Sequence, residues 1–301
     1  MLANKFKGTS TSPEAQTIKE VYGFWGQVIK DAVASMEHDT ATFEALSRMA
    51  MHIILGSITR QDKNVLELTS VLRETIANEH SNGDVVASSL GTVLDNSCLL
   101  NVQHGVTRPL WKQWTYAHLV QPLYEVGLST TNTPLVSTRY STAILSMISN
   151  CPFKAYESDL VSLTRLLMTA FAKGVAAGLP TDSDRQRLVN ALKIVREILS
   201  NEPTVLKEHL KPVIQGAIKI SRLVSQSSIA DQSPETKERL LVLQREALQV
   251  LGSIPEKFEE RHVRSYAPEM QLLMAQACGS PTRELRKIAR EARSNWAKFS
   301  E

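Results

Sequence analysis

Cysteines, long apolar runs and secretory signals are scarce in this sequence of 301 residues. The three cysteines, Cys98, Cys151 and Cys278, are odd in number and far apart, which argues against a disulfide framework and favours a reducing compartment. No apolar run approaches the ~20 residues that a membrane span needs. The first residues, Met1–Lys7, show no apolar core followed by a small-residue cleavage site. We therefore expect a cytoplasmic or nuclear protein without a membrane partner.

Motifs for catalysis, cofactor binding and metal binding are absent from the sequence as well. It has no G-x-G-x-x-G or G-x-x-x-x-G-K-[S/T] loop to hold phosphates, and no H-E-x-x-H or C-x-x-C pattern. Three separated cysteines do not supply the thiolates that an iron–sulfur cluster requires. His118 and His209 each precede a proline, and packing or capping is favoured over catalysis for both. The sequence predicts no catalytic residue, cofactor or metal, and an enzyme is the least favoured class.

The net charge of +3 is small but unevenly distributed. The segment Arg261–Glu301 contains 8 basic and 4 acidic residues, so the positive excess lies entirely in this segment. An excess of this size is too small to indicate an avid nucleic-acid binder. It favours contact between the C-terminal segment and an acidic partner surface.

The apolar residues recur with helical spacing along nearly the whole sequence. Three clear examples of the i, i+3, i+4, i+7 pattern are residues 185–199, 240–251 and 285–299. Sustained alternation of apolar and polar residues, which would indicate strands, is absent. The sequence therefore predicts an all-α fold.

The prolines predict where many of these helices begin. Ser12-Pro13, Thr133-Pro134, Ser233-Pro234 and Ser280-Pro281 each place an N-cap residue before a proline. Weaker starts are predicted at Cys151-Pro152 and Glu202-Pro203, and a loop at Ser225–Pro234. The Ser-Pro pairs are also candidate phosphorylation sites, but capping is the favoured interpretation.

A second set of prolines suggests a repeat. Pro122, Pro212 and Pro268 each begin an apolar run, and their spacings of 90 and 56 residues approximate two and one HEAT periods of ~40–47 residues. The predicted hairpins pair 132–150 with 152–173, 182–200 with 203–224, and 234–252 with 262–278. We predict a single α-solenoid of HEAT-type helical hairpins over residues 1–301, with weakly matched repeats in 1–90, C-terminal repeats in 91–301 and a capping helix at 281–299.

A basic and aromatic stretch, Arg108–Leu119, contains Trp111, Trp114 and Tyr116 beside Lys112. Such residues can stack on single-stranded bases. They also follow helical spacing in part, so packing between repeats is the favoured interpretation.

The last predicted helix carries the candidate partner-binding residues. These are Arg283, Arg286, Lys287, Arg290, Arg293, Trp296 and Phe299. Arginines and aromatic residues are common anchors of protein interfaces. The alternative is a solvated polar face, which terminal repeats need for solubility.

The closing sequence TRELRKIAREARSNW (282–296) resembles the end of the Mms-nineteen (Met-eighteen) family, a HEAT-repeat scaffold of cytosolic iron–sulfur protein assembly. The family pattern R-x-[LV]-R-K-x-A followed by A-R-x-x-W is present from Arg283 to Trp296. Residues 248–277, with the Tyr266-x-Pro268 turn, are similar to the penultimate family repeat, and residues 104–123 resemble the basic and aromatic stretch of its C-terminal domain. The resemblance covers roughly the last 200 residues and is sharpest over the last 70.

The resemblance implies a C-terminal portion of a longer adaptor that ligates no cluster itself. It implies partners in the targeting complex, a WD-repeat propeller protein and a small targeting factor. It also implies apo iron–sulfur clients such as DNA helicases and polymerases, a cytoplasmic and nuclear location, and a role in DNA repair. A homodimer is compatible with the sequence but not required by it.

Two alternatives remain open on the residues alone. A general transport or trafficking HEAT scaffold would share every repeat feature except the closing motif. A nucleic-acid-binding α-solenoid would use the stretch around Trp111 and Trp114, with affinity that falls with salt.

Overall fold

The computed structural model describes residues 13–34, 40–59, 61–79, 82–95, 110–127, 129, 132–179, 181–226 and 233–299. Within these residues every regular element is helical and no strand is present. The prediction of an all-α chain is therefore confirmed. Cys98, Arg108 and Ser12 lie outside the described residues, as does most of the predicted loop, 227–232.

The chain divides into two compact units, Met1–Ser158 and Asp159–Glu301. The first unit contains α1 (Pro13–Ala34), α2 (Thr40–Ile58), α3 (Val65–Ala77), α4 (Gly83–Ser89), α5 (Trp111–Thr115), α6 (Gln121–Gly127) and α7 (Pro134–Ile148). The second unit contains α8 (Leu160–Ala177), α9 (Asp182–Asn201), α10 (Leu210–Gln226), α11 (Pro234–Lys257), α12 (Glu260–Val263), α13 (Ala267–Cys278) and α14 (Arg283–Ala297). The prediction of a single domain stays a prediction.

Helix starts follow the predicted caps at two positions. Thr133 Oγ1 accepts a hydrogen bond from the Val136 N–H at 3.4 Å, and Ser233 Oγ accepts one from the Thr236 N–H at 3.3 Å. Each bond satisfies an amide that has no partner within its helix. Thr181 caps α9 in the same way, through the Asp184 N–H at 3.1 Å, although no proline follows it.

Three predicted helix starts are displaced in the structure. Short 3₁₀ turns follow Pro152 and begin at Pro203, so α8 and α10 begin later than predicted, at Leu160 and Leu210. Pro212 explains the second shift, because it has no N–H to donate to the Glu208 carbonyl and the α-helix therefore cannot extend further back. At the C-terminal end, Thr282 rather than Ser280 precedes α14, without a side-chain cap.

The first unit is held together where small residues allow helices to approach closely. A Cβ atom added at Gly91 would lie 2.8 Å from the Ser146 carbonyl oxygen, and one added at Gly127 would lie 2.9 Å from Tyr140 Cβ. Beside these contacts, the buried Arg139 donates to the Asn78 carbonyl at 2.7 Å and pairs with Asp84 at 3.1 Å. Side chains on α7 thus fix the ends of α3 and α4.

The helices of the second unit form two layers. One layer runs from α9 through α11 to α14, and the other contains α8, α10 and α13. Ion pairs connect successive helices of the first layer: Arg196 of α9 lies 3.3 Å from Glu246 of α11, and Arg245 of α11 lies 3.5 Å from Glu284 of α14. Glu246 is buried with its side chain 3% exposed, so its ion pairs operate with little solvent screening.

One helical stretch of the described chain, Glu157–Ala177, is long and apolar enough by composition to cross a membrane. This corrects the expectation that no segment approaches that length. Leu163, Leu167 and Phe171 of this stretch are buried against α9 and α10. The buried core helices of proteins without a membrane span can have the same length and apolar composition. Glu157–Ala177 by itself is therefore weak evidence for a membrane span.

Cys151 occupies a protected position in the first unit, directly after α7. Burial raises the pKa of its thiol to about 12, and the nearby ammonium group of Lys112 opposes this shift only in part. Lys112 Nζ donates to the Asn150 carbonyl at 2.6 Å, which ties α5 to the C-terminal end of α7. Cys151 therefore has the environment of an inert, structural thiol.

We predict that Cys151 resists alkylation in the folded chain. With a pKa of about 12, its thiolate fraction at pH 8 is roughly a thousandfold below that of an unfolded cysteine. Iodoacetamide labelling at pH 8, followed by peptide mass spectrometry, should show that protection in the absence of urea and its loss in high urea. Equal labelling rates in both conditions would contradict this assignment.

Candidate protein-interaction surface

Helix α14 is strongly amphipathic in sequence, and the structure shows which face is buried. Its buried residues follow the i, i+4, i+7, i+11 spacing of one helix face and pack on α11 and α13. They are Leu285, Ala289, Ala292 and Trp296. The basic residues therefore fall mainly on the opposite face.

Trp296 lies in the core of the second unit rather than on its surface. Its side chain is fully buried, and its Nε1–H donates to the Leu251 carbonyl at 2.8 Å. The prediction that Trp296 contacts a partner is therefore wrong in this structure. The helical spacing in the sequence already grouped Trp296 with Leu285, Ala289 and Ala292, and that grouping was the better guide to its position.

A close approach of α11 and α14 makes this burial possible. A Cβ atom added at Gly252 would lie 2.9 Å from the Ala292 Cβ, so only glycine fits there without a shift. Asn295 Nδ2 donates to the Gly252 carbonyl at 3.0 Å and to Glu256 at 2.9 Å. Steric fit and hydrogen bonds thus fix both the position and the rotation of α14.

The predicted basic residues divide into two groups. Arg283, Lys287 and Arg290 are exposed and lie about one turn apart on the face opposite Trp296. Their local contacts are weak: Lys287 lies 3.9 Å from Glu291, and Arg290 Nε donates to the Arg286 carbonyl in its own helix. Within the described chain the Arg283 side chain has no hydrogen bond or ion pair. We call these three residues the basic face.

The other predicted residues have structural contacts. Arg286 is half-buried, and its Nη1 donates to the Ser280 and Pro281 carbonyls, both at 2.8 Å, which holds the turn before α14. Arg293 Nε donates to Gln271 Oε1 at 3.4 Å and so connects α14 to α13. Phe299 is half-buried, with its ring edge-to-face to Trp296 and the ring centroids 6.4 Å apart.

The aromatic stretch of the first unit is mostly core. Trp111 and Tyr116 are buried, and the exposed His118 stacks on the half-buried Trp114 with ring centroids 4.4 Å apart. Residues 116–120 form a π-helical turn directly before Pro122, whose missing N–H favours such a local widening. Among the described aromatic side chains of this stretch, those of Trp114 and His118 reach the surface.

The structure also reveals a groove that sequence reasoning missed, between α10 and α13. It has a volume of about 310 Å³ and contains the side chains of Ser221 and Arg222. No sequence motif marks Ser221 and Arg222 as members of a site. The opposite wall of the groove comes from a helix some 50 residues later in the chain. Among the described residues, no group of three His, Cys, Asp or Glu side chains is placed to hold a metal ion.

We predict that Trp296→Ala destabilises the second unit by about 3–5 kcal/mol, through loss of buried ring area and the cavity left behind. Trp296→Phe should cost less, because it keeps most of the apolar contact and loses only the bond to Leu251. Urea unfolding monitored by circular dichroism measures both values. A Trp296→Ala variant as stable as the parent would show that the ring is not buried in solution.

Comparison with solved structures supports a helical-repeat fold. Two engineered proteins match 91% of the chain, one with a TM-score of 0.54 and 14% identity, the other with 0.51 and 13%. These matches cover 97% and 98% of the engineered chains. At this level of identity the likeness concerns the fold alone, and it agrees with the predicted α-solenoid of helical hairpins.

Comparison with protein families gives a longer match than the sequence motifs suggested. No curated protein sequence matches the chain. The MMS19_C family model, described as RNAPII transcription regulator C-terminal, matches residues 1–255. The match includes the region before residue 90 and the stretch 104–123, and it stops short of the closing motif at 282–296. The resemblance therefore named the right family, although its most specific motif lies outside the matched residues. The chain belongs to the MMS19 C-terminal family.

Proposed function

We propose that this chain is a non-catalytic adaptor of cytosolic iron–sulfur protein assembly, which docks the targeting complex and helps deliver clusters to apo-proteins of DNA replication and repair. Family membership supports a scaffold role in general. The observation that carries the docking part of the proposal is the basic face of α14, three exposed cations on a helix that is fixed from its opposite side.

The fixed position of α14 favours binding by the basic face. Trp296, Asn295 and the contact between Gly252 and Ala292 hold the helix before any partner arrives. A partner therefore pays only for ordering the exposed side chains, and not for ordering the helix. Guanidinium groups bind carboxylates with charge-assisted and often bidentate hydrogen bonds, so the matching surface would be acidic.

Because Trp296 is buried, another residue must supply apolar contact with a partner that binds the basic face. Leu272 of α13 is 59% exposed and follows Gln271, which hydrogen-bonds to Arg293 of α14. An exposed leucine on the helix that contacts α14 suits the mixed apolar and polar composition of protein interfaces. We assign Leu272 this role in place of Trp296.

The proposed partners are a WD-repeat propeller protein and a small targeting factor, with apo iron–sulfur proteins such as DNA helicases and polymerases as clients. The proposed locations are the cytoplasm and the nucleus. An adaptor of this kind brings client and cluster carrier together and needs no cluster ligands of its own.

We predict that the chain binds the purified complex of propeller protein and small targeting factor, and that Arg283→Glu, Lys287→Glu and Arg290→Glu together weaken this binding by at least about tenfold. Isothermal titration calorimetry measures the affinity. Arg286 and Arg293 are left unchanged because their bonds hold the turn and α13.

The matched control reverses Lys30, Lys63 and Lys207, three exposed lysines outside α14, and so produces the same change in net charge. It should bind like the parent, and both variants should melt like the parent. Equal loss in both variants would indicate unspecific attraction and remove α14 as the dock. No binding by the folded parent would overturn the assembly role and leave a helical scaffold with another partner.

A further inference from the structure

The groove between α10 and α13 is a candidate binding site distinct from the basic face of α14. Its walls come from the C-terminal half of α10 and the C-terminal half of α13, both within the second unit. The lining residues are Ser221, Arg222, Ser225, Leu273, Gln276 and Ala277. Four of these side chains are polar, which is unusual for a gap between packed helices.

Ser221 shows that the groove is polar inside and not only at its rim. Its side chain is 1% exposed, and its Oγ has no hydrogen-bond partner within the described chain. Ser225, one turn later, is satisfied: its hydroxyl donates to the Ser221 carbonyl at 2.9 Å and accepts from Gln244 Nε2 at 3.0 Å. A buried hydroxyl without a partner is destabilising, and a bound acceptor would remove this penalty.

Arg222 and Gln276 add donors to the groove. Arg222 Nη2 pairs with Glu269 at 2.9 Å, which uses one of the five N–H groups of the guanidinium and leaves others for a ligand. The side-chain amide of Gln276 comes from the opposite wall. Leu273 and Ala277 are buried below these groups and give the groove an apolar floor.

The exposed stripe of α10 gives this region a positive charge. Lys211, Gln215, Lys219 and Arg222 recur at helical spacing on its solvent face, and α10 contains no acidic residue. At the groove itself, Glu269 of α13 forms an ion pair with Arg222. Since the stripe contributes three cations, it attracts an anionic ligand rather than a cationic one.

We propose that this groove binds an acidic side chain of a peptide segment from a partner protein. The carboxylate would accept hydrogen bonds from the Ser221 hydroxyl and the Arg222 guanidinium, and its methylene groups would lie on Leu273 and Ala277. A volume of about 310 Å³ accommodates one such side chain and part of its neighbours. This site does not depend on the proposed role in iron–sulfur protein assembly.

The test uses a library of short fluorescein-labelled peptides with glutamate fixed at the centre and a matched library with glutamine there. Fluorescence polarisation against the full chain should find members of the glutamate library that bind with Kd below about 1 mM. The affinity of these members should fall by at least about tenfold when glutamine replaces the central glutamate. Ser221→Ala and Arg222→Gln should each weaken these members by about threefold to tenfold. Ala277→Leu, which fills the floor, should abolish their binding.

Lys211→Gln serves as the control, because Lys211 lies on the same stripe about 16 Å along the helix from Arg222. It should leave peptide affinity within about twofold. All four variants should keep a cooperative melting transition, and Ser221→Ala should melt at or above the parent's temperature because it removes a buried hydroxyl without a partner. Equal losses for Lys211→Gln and Arg222→Gln would reduce the effect to diffuse charge and overturn the proposal. Absence of any glutamate-dependent member, or tighter Arg222-dependent binding of a single-stranded oligonucleotide, would also overturn it.

Discussion

The close contact between Gly252 of α11 and Ala292 of α14 determines how α14 packs in the second unit. It lets the two helices approach until Trp296 reaches the Leu251 carbonyl and Asn295 reaches the Gly252 carbonyl. Because these bonds come from adjacent residues of α14, they fix its rotation as well as its distance. The exposed cations face solvent as a consequence of this packing.

Similar charges have different roles here because their burial differs. Glu246 is buried between arginines of two helices and helps to connect the repeats. Removing it would leave Arg196 without this partner, whereas Arg245 would keep its ion pair with Glu284. Arg286 and Arg293 hold a turn and a neighbouring helix, whereas Arg283 and Lys287 lie in water, where ion pairs contribute little to stability. The residues available to a partner are therefore a small subset of those that the charge pattern suggests.

The helices and several of their starts could be predicted from local sequence, because a cap such as Thr133 or Ser233 acts within one turn. The predicted starts near Pro152 and Pro203 were less accurate, because a 3₁₀ turn and an α-helical turn differ little in local preference. The groove around Ser221 and Arg222 could not be predicted, because its walls lie on separate helices whose packing no short pattern encodes.

The sequence by itself determined the all-α class, the helical repeats and the positive C-terminal segment, since periodicity, proline and charge are local properties of the chain. Only the tertiary structure decided that Trp296 belongs to the core and that Arg283, Lys287 and Arg290 form the accessible face. The physical reason is that an aromatic side chain among cations suits either an interface or a core. The choice between them depends on whether a neighbouring helix, here α11 with its glycine, leaves room for the ring.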